Sequence, residues 1–269
     1  LPVLLGSEMK HRQYTTQLQA GLGMVDETRT LLDLWTPGMT AARLNQVALE
    51  SGRFPGVSAR RLRNLVTECF HPRLLVDGGR PAEYLKTLRK AMSLREFEQM
   101  LLVYTCRANI ILADFIRDVY WPAYSSGRDA LSNLEAREFV TRANQQGLTA
   151  RPWSDTTIRR VSAYLTGACA DFGLLERGNR SVRKVLPCRI EPHTAIVLAY
   201  DLHFSGLGDN AVIGHPDWTL FGLDRADVIS ELKRLSLKGT FLVQMAGEVV
   251  RIGWQCKNAK ELSSAIAEG

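Results

Sequence analysis

From residue 24 to about residue 150, apolar side chains return at steps of three and four, the period of helices with one buried face. "DETRTLLDLW" opens on Asp26 as an N-cap and stops before Pro37, and "TAARLNQVALESG" starts at Thr40 and closes at Gly52. "SARRLRNLVTECF" takes Ser58 as its cap and carries Leu62, Leu65, Val66 and Cys69 or Phe70 on one face, with Pro72 limiting its continuation. Two helices, a short turn and an arginine-bearing helix make the order of a helix-turn-helix unit. "PAEYLKTLRKAM", "SLREFEQMLLVYTCRANIILADFIRDVYWPAY" and "SNLEAREFVTRANQQG" continue the helical pattern. After residue 150 the period changes, and short runs suited to strands follow helices: "GLLER" with "VRKVLPCRI", then "TFLVQMAGEVVRIGW", where "MAGE" is the turn of a hairpin. The pattern predicts a mainly α chain with a small β component (α+β). A helical domain over 1–150 carries the helix-turn-helix-like unit, and a winged-helix-like α+β domain spans 151–269.

The segment 153–185, "WSDTTIRRVSAYLTGACADFGLLERGNRSVRKV", is the most informative stretch. Ser154 caps a helix whose buried stripe is Ile158, Val161, Leu165, Ala168 or Cys169, and Phe172. Its opposite face holds Thr156, Arg159, Arg160, Ala163, Thr166 and Gly167. A solvated face is ordinarily rich in Glu and Lys, whereas this one has no acid and several small side chains. Small residues permit close approach of another surface, and Arg with Thr suits phosphates and base edges. The same composition also suits packing against another helix. Gly173 fits the left-handed closing position, and a Gly-Asn turn follows with Arg177, Arg180, Arg183 and Lys184 around it. A basic hairpin beside a helix is what a DNA-binding wing requires. If about six of these residues neutralise phosphates, the log–log salt slope of binding is on the order of −5.

Charge sharpens this reading. The net charge of the 269-residue chain is +6, but residues 53–74 carry five Arg against one Glu, residues 151–190 eight basic against three acidic side chains, and 191–269 seven against ten. Two basic blocks on a globular chain point to a polyanion, and Arg60, Arg61 and Arg63 make a second contact besides the helix and wing. The 26 Arg against 8 Lys fit the same partner, guanidinium being the better fork for phosphate.

Other chemistries find little support. The five cysteines form no CxxC or Cys/His spacing, which argues against a metal site and a disulfide framework and for a reducing cytoplasm. There is no nucleotide-binding loop, HExxH or GxSxG elbow, and "SGLGDN" reads as a loop. His193 and His203 are isolated in sequence, and "HPDW" is a turn with a packed Trp218. "MLLVYTCRANIILADFI" contains Arg107 and Asp114 and is short of the ~20 apolar residues of a membrane span, so a buried core helix is expected. "LPVLLGSEMK" reads as a tail, without the pattern of a signal peptide. No catalytic residue, metal or cofactor is expected.

The stretches "YTTQLQAGLGMVDETRTLL", "WSDTTIRRVSAYLTGACADFGLLE", "HPDWTLFGL" and "AGEVVRIGW" together resemble the BrxA family, small components of BREX bacteriophage-exclusion systems. The likeness spans about residues 14–267 and rests on the number and order of these stretches. It implies a cytoplasmic, non-enzymatic accessory protein that binds double-stranded DNA and works beside the system's methyltransferase, ATPase and phosphatase-like proteins. The family's helical part has been likened to an RNA-binding antitermination fold, which keeps RNA open. The expectation is duplex DNA bound with little sequence preference through Arg159 and Arg160, flanked by Thr156, with Arg177, Arg180, Arg183 and Lys184 as the wing. A protein–protein adaptor and an RNA-binding or transcriptional regulator are the alternatives.

Overall fold

A computed structural model describes residues 13–20, 23–178, 181–247 and 249–268. Helices α1 (Val25–Leu34), α2 (Ala41–Glu50), α3 (Ala59–Asn64), α4 (His71–Leu74) and α5 (Arg80–Leu88) lead into α6 (Leu94–Ala108), α7 (Ile110–Phe115) and α8 (Trp121–Ser125). Strand β1 (Ala130–Ser132), α9 (Asn133–Gln145), α10 (Asp155–Asp171) and β2 (Val182–Lys184) follow. The chain continues with α11 (Pro192–Phe204), α12 (Asp209–Ile213), α13 (Arg225–Ser236), the strands β3 (Phe241–Ala246) and β4 (Val249–Trp254), and α14 (Ala259–Glu268). The architecture is mainly helical with two small antiparallel sheets, β1–β2 and β3–β4.

Local signals set most helix starts. The side chains of Thr40, Ser58 and Ser154 accept the N–H of Arg43, Arg61 and Thr157, and Asp224 forms a reciprocal capping box with Asp227. Asp26 is not the cap expected of it. α1 begins one residue earlier, behind a left-handed Met24, and Asp26 sits in the first turn, where its charge still complements the helix dipole. The helix after Ser58 also runs past Pro72. A wide-turn segment, Leu65–Phe70, precedes that proline, as Ile116–Tyr120 precedes Pro122. In an i→i+5 turn the hydrogen-bonding register shifts, so the proline's missing N–H and bulky ring fit within a continuing helix.

The core is one continuous apolar cluster that runs from Tyr14 to Ile266. α11 is its centre, with Thr194 to Leu202 all buried. Residues 100–116 lie inside this core, as their composition predicts, but not as one helix. The chain bends by 115° between Leu94–Ala108 and Ile110–Ser125, and no single helix among the described residues is long and apolar enough to cross a membrane.

Polar groups bind the two sides of this core. Tyr84 Oη donates to Val197 O at 2.8 Å, and the Gln99 side chain bridges Arg189 O and Glu191 N–H. The Arg107 guanidinium lies between the carboxylates of Asp201 and Asp217, 2.6 Å from each, and Tyr104 Oη donates to Asp201 at 2.9 Å. The α9–α10 connection, where the sequence pattern changes, is crossed by strand pairing: Ala130 faces Lys184 and Ser132 faces Val182.

Candidate nucleic-acid interface

α10 owes its place to the stripe read from its sequence. Ile158, Val161, Leu165, Ala168, Cys169 and Phe172 are buried, and α10 packs along α9. On the other side Thr156, Arg159, Arg160 and Ala163 are exposed. Thr166 and Gly167 depart from expectation and are buried, with Thr166 Oγ1 donating to Asn133 Oδ1 at 2.7 Å. The first turn of α9 crosses there, and the small side chains permit its close approach. Periodicity identifies a helix face, while a neighbour distant in sequence decides how much of it stays open. The open half borders a depression of about 600 Å³ that also takes in Leu134 and Arg137 of α9 and contains no acidic side chain. Arg137 reaches Asp155 at 3.3 Å across its rim.

β2 stands beside this helix pair with a neighbour on each edge. β1 pairs on one side; on the other Leu175 bridges Val185, Glu176 N–H donates to Lys184 O and Leu186 N–H to Leu174 O. Of the pairing expected of "GLLER" with "VRKVLPCRI", the described residues show this antiparallel bridge and its two flanking hydrogen bonds, while β1, three residues from far upstream, is the strand that pairs with β2 in a sheet. Gly173 adopts the left-handed conformation (φ 72°) that closes α10 ahead of this turn, and Arg95 Nη1, which donates to Phe172 O, would lie 2.7 Å from any added Cβ. Asn133 N–H donates to Ser181 O at 2.8 Å, so the same α9 turn that covers Thr166 anchors the strand.

The basic residues of this segment do not form one group. Lys184 and Val182 are exposed on β2. Arg183, between them, is half-buried and donates to Glu176 O at 3.0 Å. Arg177 is exposed but donates to Asp171 O at 3.1 Å and lies 3.8 Å from Glu98. Arg180 lies outside the described residues. Arg60, Arg61 and Arg63 are all exposed on α3. Arg61 meets Arg177 across a separate depression that also holds Asp26, Glu27 and Asp171. That second basic block therefore borders a depression with three acids, whereas the depression on α10 is lined by none. Arg137 and Leu134 are not evident from the sequence as part of this face; the capping box of Ser132 and Glu135, which fixes where α9 starts, is the signal that could have placed them.

Elsewhere, titratable groups serve packing. All five cysteines are buried, and burial pushes the Cys188 thiol up to about 11. His193 contacts Glu96 at 3.0 Å, whereas His203 stacks on Trp254 with centroids 4.2 Å apart, so the two histidines have different partners. Trp218 is buried in the "HPDW" turn, as its sequence suggested. No curated protein matches the chain. One family model does match, over residues 12–200, a span that contains α1 to α10, both strands of the β1–β2 sheet and most of α11. On that match the chain belongs to the BrxA family of BREX phage-exclusion systems.

Proposed function

We propose that this chain is a double-stranded-DNA-binding component of its BREX system, acting by binding rather than by catalysis, in the cytoplasm and with little sequence preference. The observation that carries the reading is the open half of α10, with Arg159, Arg160, Thr156 and Ala163 bordering a depression lined by no acidic side chain, together with Lys184 exposed on β2. Helix, β1, α9, α10, the bridged residue Leu175 and β2 follow one another in the order of a winged helix, in which α10 would be the groove helix and β2 would belong to the wing. In this geometry Arg159 and Arg160 contact phosphates or base edges, Lys184 neutralises the flanking backbone, and Arg137 supports the same face from α9. Arg60, Arg61 and Arg63 form an outlying contact at most, because α3 borders carboxylates.

The test is a salt titration of duplex binding with Arg159, Arg160 and Lys184 replaced together by Ala. Every phosphate left without its cation should flatten the log–log slope by ~0.9, so a drop of about 2–3 is expected. An unchanged slope in a folded variant would overturn the assignment. A second reading, docking of another BREX protein such as the methyltransferase, the ATPase or the phosphatase-like component, has its own support. Leu242 and Val249 are about half exposed, at 52% and 55%, on the β3–β4 hairpin, outside the family match. Charge swaps on α10 would leave such docking intact, which separates the two readings.

A further inference from the structure

A second depression, of about 620 Å³, adjoins the open half of α10 and shares Arg160 with it. Its volume falls in the ~300–1,000 Å³ range of sites that enclose a small ligand. The walls come from three separate parts of the chain: the extended residues 14–16, the loop 150–153, and the first turns of α10. Arg151 and Arg160 line it together with the rings of Trp153 and Tyr164 and the hydroxyl groups of Ser154 and Thr157, and no carboxylate is among its lining residues. The contrast with other depressions is direct, since the one at Arg61 holds three acids and the one at Arg107 holds Asp77 and Asp217.

The loop that carries Trp153 is tied down through its backbone. Asn144 Oδ1 accepts the Trp153 backbone N–H at 2.8 Å and the Thr149 hydroxyl at 3.1 Å, while its Nδ2 donates to Trp153 O at 3.3 Å. Tyr14 N–H donates to Leu148 O at 2.7 Å, tying the extended segment to the same loop. A half-buried indole on a tethered loop, beside two guanidinium groups, matches a heteroaromatic base joined to a phosphate. The ring offers a stacking face, and the arginines fix the anion. Pre-ordered walls reduce what binding costs in lost conformational freedom.

We propose that this pocket takes one unpaired nucleotide of a DNA held on α10, with its base against Trp153 and its phosphate between Arg151 and Arg160. The inference rests on the duplex-binding reading above, because the shared Arg160 is what brings a DNA end or a displaced base to the pocket. The protein then prefers duplexes with a short single-stranded overhang to blunt ones.

Fluorescence anisotropy with a labelled blunt duplex and the same duplex carrying a three-nucleotide overhang tests this. One stacked base is expected to tighten binding of the overhang about 10-fold over the blunt form. Trp153→Ala should erase that preference while leaving blunt-duplex affinity unchanged. Arg151→Ala, at an exposed position where folding is not at risk, should reduce it several-fold. Equal binding of blunt and overhang duplexes by the native protein overturns the pocket inference alone, as does a preference that survives both substitutions. Failure to bind any duplex overturns the duplex reading, and the pocket inference falls with it.

Discussion

In two places the chain runs from a helix into antiparallel backbone pairing, and the two surfaces differ in kind. In the first, α10 leads through Leu174–Glu176 to β2; in the second, α13 leads to β3 and β4. The open half of α10 has two arginines and no acid beyond Asp155. α13 alternates charges instead: Asp227 lies near its start, and Arg234 is tied to Glu231 at 2.5 Å. The exposed face of the second hairpin carries Leu242 and Val249, where β2 shows Lys184. The first unit lies within the family match and the second lies wholly beyond it. One element order thus carries a polyanion-friendly surface in one place and a mixed, partly apolar one in another, so side-chain chemistry has to decide function at each.

The largest effect is expected in the core against which both units pack. Arg107 of α6 pairs with Asp201 and Asp217, whose side chains are only 1% and 7% exposed. Arg107→Ala takes the nearest cation from both buried carboxylates, leaving Asp201 only Arg80 at 3.7 Å and Asp217 only His215 at 3.3 Å, a loss of about 3 kcal/mol, or on the order of 10 °C in Tm. Calorimetry should show a single transition moved down. If only part of the enthalpy shifts, the units melt independently and the shared core does not couple them. Acid sharpens the test. Burial alone would raise the Asp217 pKa, but the His215 hydrogen bond and Arg107 outweigh it and hold it below the ordinary value. A depressed carboxylate stabilises the fold above its unfolded pKa, about 4, and that contribution is lost as pH falls through the folded value. The gap between native protein and variant should therefore narrow below about pH 4.

The next effect bears on the two surfaces themselves. Replacing Lys233, Lys238 and Arg251 by Ala in the second unit removes as much formal charge as replacing Arg159, Arg160 and Lys184 in the first. If only the first unit grips DNA, the second set changes the salt slope by less than ~0.9, the value of one neutralised phosphate, against about 2–3 for the first. Equal slopes would abolish the distinction and make both units DNA-binding surfaces. This comparison needs only the two triple variants and a duplex titrated at several salt concentrations.

Much of α10 could be read directly because its determinants are local. Ser154, the buried stripe and Gly173 sit within one short segment, and each acts on its neighbours in the chain. The same holds for the caps at Thr40, Ser58 and Asp224. What stayed hidden depends on partners distant in sequence. β1 is three residues long and has no strand signature of its own; its pairing with β2 defines it. The burial of Thr166 and Gly167, the position of Arg137, and the Arg107 pairing likewise follow from how α6, α9 and α11 pack. A proline predicted to end a helix failed as a signal because the wide turn before Pro72 removed the conflict.

The smallest effect concerns a residue that sequence alone placed in the wing. Arg183 sits between exposed Val182 and Lys184, and strand alternation turns it to the opposite side, where its guanidinium donates to Glu176 O. A cation held on a backbone carbonyl gives up geometry it would need to reach a phosphate. Arg183→Ala should therefore leave the salt slope of duplex binding within error of the native value, while removal of one charge-assisted hydrogen bond destabilises the fold by about 1–2 kcal/mol. Lys184→Ala should show the reverse, a slope shallower by ~0.9 and an unchanged Tm. If Arg183→Ala flattened the slope as much as Lys184→Ala, the guanidinium would have to leave Glu176 when DNA binds. The Glu176–Arg183 contact would then break on binding, and the contrast with the second hairpin would rest on movement as well as on charge.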